Sequence, residues 1–121
     1  MSIKLLDPLF LTMALCGAIF ILIGFLTKRY PPKKINHLYG YRTAKSMQSQ
    51  ERWDYAQTHS AREMIRVGLI MCLLAVPAYF VQLQVWLSLG LAVFILLLFC
   101  VWLFLNTEKS LDKKFGKGAQ S

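Results

Sequence analysis

Three long stretches of apolar and small residues alternate with charged segments, and this pattern predicts three membrane-spanning helices. Residues 9–27, 67–83 and 85–105 contain no Asp, Glu, Lys, Arg or His. Because a helix rises about 1.5 Å per residue, roughly 20 residues cross a hydrocarbon core about 30 Å thick. The middle stretch reaches this length from residue 64 if Arg66 extends its side chain to the headgroups. We therefore expect an all-α integral membrane protein with spans at about 9–27, 64–83 and 85–105.

The chain has 121 residues, which is the size of one compact unit, so we expect a single membrane domain over residues 1–121. We interpret the first apolar stretch as a retained helix. Asp7 offsets Lys4 in the preceding segment, and the apolar run continues well past Cys16. Both features differ from a cleaved signal peptide.

Positive charge is concentrated on one side of the predicted spans. Of the 14 Lys and Arg residues, one precedes the first span, nine lie between residues 28 and 66, and four follow the third span. Three spans place the last two groups on the same side, and the positive-inside rule makes that side cytoplasmic. We expect an external N-terminus, a cytoplasmic loop at 28–63 and a cytoplasmic tail at 106–121. The net charge of +8 then indicates contact with membrane lipid and not with nucleic acid.

The first loop has the features of an ordered segment. The two prolines at 31–32 end the first helix, because the residue before a proline is driven to extended conformations. Gly40 lies between two tyrosines, which indicates a positive φ or a close backbone approach. The segment 35–43 is therefore predicted to form a defined turn.

A further helix is predicted before the second span. Ser46 or Ser49 can cap a helix that begins near Gln50. The segment 60–63 also has capping-box form, so the chain can restart a helix there. Either the second spanning helix extends into the cytoplasm, or a short interfacial helix bends into it.

Small residues recur at helical spacing in each predicted span. They are Ala14, Gly17, Ala18 and Gly24 in the first span, Gly68, Cys72 and Ala75 in the second, and Ser88 and Ala92 in the third. In lipid, helices associate through close packing, which small residues permit. We expect these faces to form the seam of the three-helix unit or the contact of a homo-oligomer. The second and third spans are separated by about two residues near Gln84, which predicts an antiparallel hairpin.

The chemistry of an enzyme or an ion-coupled carrier is missing from the pattern. No ionisable side chain lies in the middle of a predicted span, whereas such carriers normally need one. His59 and Glu63 are four residues apart and His37 is distant, which is weak support for a metal site. Ser46, Ser49 and Ser60 occupy capping positions and have no adjacent base. We expect no catalytic activity, no metal and no cofactor.

One cluster in the loop carries the strongest candidate chemistry. Its members are Asn36, Tyr39, Gly40, Tyr41, Arg42 and Thr43, followed by Trp53. The planar guanidinium of Arg42 suits a phosphate or carboxylate, with Trp53 covering the bound group. The alternative is that these residues fold the loop back onto the bundle, with Arg42 capping carbonyls or pairing with Asp54.

This cluster, with the helices around it, resembles the SdpI family of bacterial membrane proteins. The resemblance is carried by Pro32, Asn36, the run 39–43, Ser46, and Trp53 with Ala56, and it extends over roughly residues 9–106. The family's named member is an immunity protein that protects the producing cell's membrane from a peptide toxin. It also signals by holding a transcriptional repressor at the membrane. That protein has additional helices before the three-helix unit that this chain resembles.

The resemblance implies a multi-pass protein of the bacterial cytoplasmic membrane that gives immunity to a membrane-active peptide toxin. The ligand or partner would meet Asn36, Tyr39, Gly40, Tyr41, Arg42, Thr43 and Trp53. Two further hypotheses remain open. The chain is either an accessory subunit of a larger membrane complex, docked through its basic loop, or a module that binds a lipid headgroup or phosphate.

Overall fold

The computed structural model describes residues 7–36 and 40–116, and these residues form three α-helices. They are α1 (Pro8–Arg29), α2 (Gln50–Phe80) and α3 (Val85–Phe115). Each helix is long and apolar enough to cross a membrane. The predicted all-α fold with three potential membrane spans is therefore confirmed.

Local capping interactions fix where α1 and α2 begin. The Asp7 carboxylate accepts a hydrogen bond from the Phe10 amide at 3.1 Å, and Pro8 occupies the first turn, where its missing N–H is not needed. Ser49 is the N-cap of α2, because its hydroxyl accepts from the Arg52 amide at 3.1 Å. Of the two predicted capping serines, Ser49 therefore holds the helix start, at the predicted position.

The helices α2 and α3 are longer than their predicted spans. The helix α2 runs without interruption from Gln50 to Phe80, so the second spanning helix extends beyond the apolar stretch. Of the two alternatives, the extended second helix is the one observed. The helix does not restart at Ser60, whose hydroxyl donates back to the Gln57 carbonyl at 3.4 Å inside the continuous α2. The connection to α3 is four residues, 81–84, and α3 continues past residue 105 to Phe115.

Glycines bring α1 and α2 into backbone contact. A Cβ on Gly17 would lie 2.9 Å from the Gly68 carbonyl oxygen, and a Cβ on Gly68 would lie 2.7 Å from the Gly17 carbonyl oxygen. Two turns nearer the loop, a Cβ on Gly24 would lie 2.8 Å from the Ala61 carbonyl oxygen. Any larger side chain would force the two helices apart. The small residues of α1 and α2 therefore form a seam within the chain, one of the two predicted uses.

Hydrogen bonds join the third helix to the rest of the chain near its two ends, and apolar side chains such as Phe99 pack against the core between them. Near the 81–84 connection, the Ser88 hydroxyl accepts from the Leu9 amide at 3.0 Å and donates to the Asp7 carboxylate at 2.9 Å. Ala92, one turn further, is buried in the core beside Met13. Most large apolar side chains along the rest of the span are exposed, and Leu97 retains 57% of its surface. The other attachment lies at the loop end, where the predicted site is.

Candidate functional site

A polar assembly forms at the loop end of the helices. It consists of the loop residues 30–36 and 40–49, the first half of α2 (50–63) and the last turns of α3 (106–115). We refer to these residues as the polar head. It contains six of the seven predicted site residues, and the seventh, Tyr39, lies outside the described residues.

A buried glutamine of α2 binds the loop backbone at Tyr41. The Gln57 side chain is 1% exposed, and its oxygen accepts from the Tyr41 amide at 2.7 Å. Its nitrogen donates to the Tyr41 carbonyl at 2.8 Å. The Gln57 side-chain amide thus satisfies both the backbone N–H and the backbone carbonyl of Tyr41, as a neighbouring β-strand would. This pairing requires the loop to approach α2 closely at the preceding residue.

That preceding residue is Gly40, and it meets both predicted conditions. Its φ is +103°, and a Cβ built on it would lie 2.5 Å from the Gln57 side-chain oxygen and 2.7 Å from Pro32 Cγ. A side chain here would be strained by the backbone conformation and would collide with the residue that anchors the loop.

We predict that Gly40→Ala lowers the free energy of unfolding by about 1–3 kcal/mol, because it adds both strain and a clash. Gly116→Ala is the matched control. Gly116 also has a positive φ, +81°, but a Cβ there meets no atom within 4 Å. Thermal unfolding of the purified protein in detergent, followed by circular dichroism, measures both changes. Equal losses for the two variants would show that the contact with Gln57 contributes nothing.

The carboxylate of Glu108 joins the loop to α3. Its Oε2 atom accepts from the Tyr41 hydroxyl at 2.6 Å and from the Thr43 hydroxyl at 2.7 Å. Burial, reinforced by the hydrogen bond and the charge of Glu108, raises the pKa of the Tyr41 phenol well above its usual range. Tyr41 therefore stays protonated and remains a donor to Glu108 at physiological pH.

Further contacts support this junction on either side. Ser46 is fully buried, and its hydroxyl accepts from the Thr43 amide at 2.8 Å. The Ser46 amide in turn donates to the Thr43 hydroxyl oxygen at 3.1 Å, so the pair fixes the turn that presents Thr43 to Glu108. Lys45 forms an ion pair with Asp112 of α3 at 2.7 Å. The loop is therefore bound to α3 at two successive turns.

Trp53 is the core of the polar head. It is 0% exposed, and its indole Nε1 donates to the Pro32 carbonyl at 2.6 Å. Ala56, one turn along α2, is equally buried. Trp53 thus holds the start of the loop against α2. This arrangement is the loop-folding use of Trp53 that the sequence left open beside the ligand-covering one.

The remaining predicted site residues lie nearer the surface. Arg42 is exposed, and Asn36 is half-buried, with its side-chain amide donating to the Lys34 carbonyl at 2.9 Å. Asp54, the predicted alternative partner of Arg42, accepts from the Gln50 side chain at 2.8 Å. The structure therefore brings Gly40, Tyr41, Thr43 and Trp53 together inside the polar head, with Arg42 on its surface.

Sequence reasoning missed a ladder of polar contacts between α2 and α3. Arg52 donates to the Gly116 carbonyl at 2.7 Å, the Tyr55 hydroxyl contacts the Ser110 hydroxyl, and His59 Nε2 meets the Asn106 side-chain oxygen at 2.6 Å. The signal was the repeat of polar and aromatic residues every three or four positions along both helices beyond the apolar spans. His59 and Glu63, the weak metal candidates, have separate partners, since Glu63 pairs with Arg66 at 3.2 Å. His37 lies outside the described residues.

Beneath the loop, the three helices line a partly open cavity of about 270 Å³. Gly40 and Tyr41 of the polar head cover the cavity on the loop side, and side chains from all three helices line it. We refer to it as the sub-loop cavity. Thr107 of α3 lines it and is completely buried. The cavity lies directly between the membrane-spanning part of the helices and the polar head.

Three apolar helices joined to an ordered polar head define a multi-pass helical membrane protein. The model of the SdpI/YfhL protein family matches residues 33–103, which is more than half of the chain. An uncharacterized protein, YfhL of Bacillus subtilis (strain 168), is 39% identical over 99 residues, covering 78% of this chain and 81% of its own length. The chain belongs to the SdpI/YfhL family. No solved structure matches it.

Proposed function

We propose that the protein protects a bacterial cytoplasmic membrane against a membrane-active peptide toxin, with α3 linking the membrane to the polar head. The family's named immunity protein motivates the first part of the proposal. The observation that carries the second is the bonding of Glu108, on α3, to Tyr41 and Thr43 of the family motif. In the proposed orientation, the 81–84 connection faces outside and the polar head faces the cytoplasm.

The bonding of Glu108 to the loop offers a way for a change on the outer side of the membrane to reach the cytoplasmic side. A toxin from outside would reach the 81–84 connection and the spans, whereas the motif lies at the opposite end. One unbroken helix separates Val85 from Glu108, and at 1.5 Å per residue this distance is about 35 Å. A tilt of α3 in the membrane would therefore displace the Glu108 carboxylate relative to the loop.

The middle of α3 offers a surface for the toxin. An apolar groove of about 510 Å³ lies between α2 and α3, and its walls include Ile70, Phe99 and Trp102. The helix is hydrogen-bonded near each end and exposes many apolar side chains between, so a peptide in this groove would contact α3 between these two sets of hydrogen bonds. In this proposal, binding in the groove is sensed by the contacts around Glu108.

Arg42 is the motif residue we assign to a cytoplasmic partner. It is exposed beside Tyr41 and Thr43, whose side chains are bonded to α3. Its guanidinium can form a bidentate pair of hydrogen bonds with a carboxylate or a phosphate. A movement of α3 would reach Arg42 through its two neighbours, which gives the loop a means of signalling.

The membrane potential tests protection directly. Toxin-sensitive cells carry the wild-type protein, Arg42→Ala, Arg62→Ala or an empty vector, and a voltage-sensitive dye follows a panel of membrane-permeabilising peptide toxins. Arg62→Ala is the matched control, because Arg62 is also exposed and its substitution removes the same charge. We expect wild type and Arg62→Ala to hold the potential against one toxin. If Arg42→Ala alone fails, Arg42 takes part in protection; if it protects equally, immunity stands and the assignment of Arg42 is wrong.

Depolarisation of all four strains, with equal amounts of each variant in the membrane, would refute immunity to that panel. Purification from native membranes then distinguishes the remaining hypotheses. A large protein partner in constant ratio would support an accessory subunit. A phosphate-bearing lipid that is retained by wild type and lost in Arg42→Ala would support a headgroup-binding module.

A further inference from the structure

The sub-loop cavity has an apolar side and a polar side. Ile23, Met64 and Leu103 contribute apolar walls, and Thr27, Ser60 and Thr107 contribute hydroxyl groups. None of its lining residues is charged. A volume of about 270 Å³ is close to the lower end for small-molecule sites in proteins. The lining therefore fits a neutral group that joins a polar part to an apolar part.

One buried hydroxyl in this cavity has no partner. The Tyr41 hydroxyl donates to Glu108, and the Ser60 hydroxyl donates to the Gln57 carbonyl. Thr107 is 0% exposed, and its Oγ1 makes no hydrogen bond with any residue that the structure describes. Buried polar groups are nearly always satisfied, so an unpaired hydroxyl that lines a cavity points to an occupant that bonds to it.

The cavity lies at the depth where the apolar spans end. Thr27 is followed directly by Lys28 and Arg29, and Thr107 is followed directly by Glu108. Acyl chains occupy the membrane on one side of this level and headgroups occupy the other, so lipids place their glycerol esters here. An ester carbonyl is also a neutral acceptor, which suits a hydroxyl donor in a site without lining charges.

We propose that the sub-loop cavity binds the glycerol-ester region of a membrane lipid. The Thr107 hydroxyl donates to one ester carbonyl, and the attached acyl chain leaves past Ile23, which is 42% exposed. The lipid thereby supports the underside of Gly40 and Tyr41, which roof the cavity. This site is independent of the proposed toxin groove, because the two share no lining residue.

Native mass spectrometry of the full chain in detergent tests the proposed hydrogen bond. The probes are dioleoyl phosphatidylglycerol and its dialkyl ether analogue, which has the same headgroup and lacks the ester carbonyls. We expect wild type to bind the ester lipid roughly 3- to 10-fold more tightly, the value of one buried hydrogen bond. Thr107→Val should abolish this preference, because valine keeps the shape and removes the donor. Thr58→Val, at an exposed position of α2, should keep it.

A second pair of variants tests the cavity itself. Leu103→Trp should fill the space and reduce binding of both lipids, whereas Leu97→Trp, on a surface that is 57% exposed, should not. Thermal unfolding confirms that each variant is folded. Equal affinity of wild type for ester and ether lipids, or an unchanged preference in Thr107→Val, would overturn the proposal. Unchanged binding in folded Leu103→Trp would also overturn it. These results leave the toxin assay unaffected, so the two proposals fail separately.

Discussion

Trp53→Ala should lower the free energy of unfolding by about 3–5 kcal/mol, which is the usual effect of truncating a buried aromatic residue. The side chain is 0% exposed, so its removal leaves a cavity between the loop and α2. The Pro32 carbonyl also loses its indole donor, which lies 2.6 Å away. Titration of the purified protein with sodium dodecyl sulfate, followed by circular dichroism, measures this loss.

Two further tryptophan variants separate the causes. Trp53→Phe keeps most of the buried volume but removes the indole donor and part of the fused ring, so it should lose about 1–3 kcal/mol, less than Trp53→Ala. Trp86→Ala makes the same truncation at a side chain that is 72% exposed, and it should have little effect. A loss in Trp86→Ala as large as that in Trp53→Ala would show that burial in the polar head is not the cause.

The spans were predictable because lipid imposes a simple requirement on sequence. Every backbone group inside the membrane must be bonded within a helix, so long apolar stretches identify the helices by themselves. The ends of α2 and α3 were harder to predict. Charged residues after 105 close the apolar stretch, but they do not interrupt the helix. Contacts from His59 with Asn106 to Arg52 with the Gly116 carbonyl continue the pairing of α2 and α3 to the end of α3.

Within the polar head, local requirements were predictable and distant partners were not. Gly40 was identified because a positive φ is a property of one residue. Ser49 was identified because a helix cap acts over three positions. Glu108 was missed because its partners Tyr41 and Thr43 are more than 60 residues away in the sequence. Only the packing of α3 beside the loop reveals that a carboxylate after the third span is bonded to the loop.

The hydrogen bonds of α3 to the rest of the chain are concentrated near its two ends. Near one end, Ser88 bonds to Asp7 and the Leu9 amide, and near the other Glu108 bonds to the loop. Between these points the helix exposes most of its apolar side chains. In the proposed function, a toxin that contacts the exposed middle of α3 changes the tilt of this helix, and the bonds of Glu108 carry the change to the loop. The Glu108 junction is therefore the contact whose loss would most directly separate the loop from α3.

Glu108→Ala should release the loop from α3 while the spans stay folded. Two hydrogen bonds to a charged acceptor are lost, and each typically stabilises by about 1.5–3 kcal/mol. Because the groups are only half-buried, we expect a total loss of about 3 kcal/mol. Hydrogen exchange of residues 40–47, measured by mass spectrometry, should accelerate by about 100-fold, since 1.4 kcal/mol corresponds to a factor of ten. Exchange in the middle of α1 should stay unchanged.

A double-mutant cycle shows whether this effect passes through the Tyr41 hydroxyl. Tyr41→Phe removes one of the two donors to Glu108, so it should accelerate exchange by itself and have a smaller effect in the Glu108→Ala background. Glu51→Ala removes a carboxylate from the exposed first turn of α2 and should leave exchange of the loop nearly unchanged. Additive effects of Tyr41→Phe and Glu108→Ala would mean that the two side chains stabilise the head separately. Coupling between them would show that Tyr41 and Glu108 stabilise the polar head through the hydrogen bond that joins them.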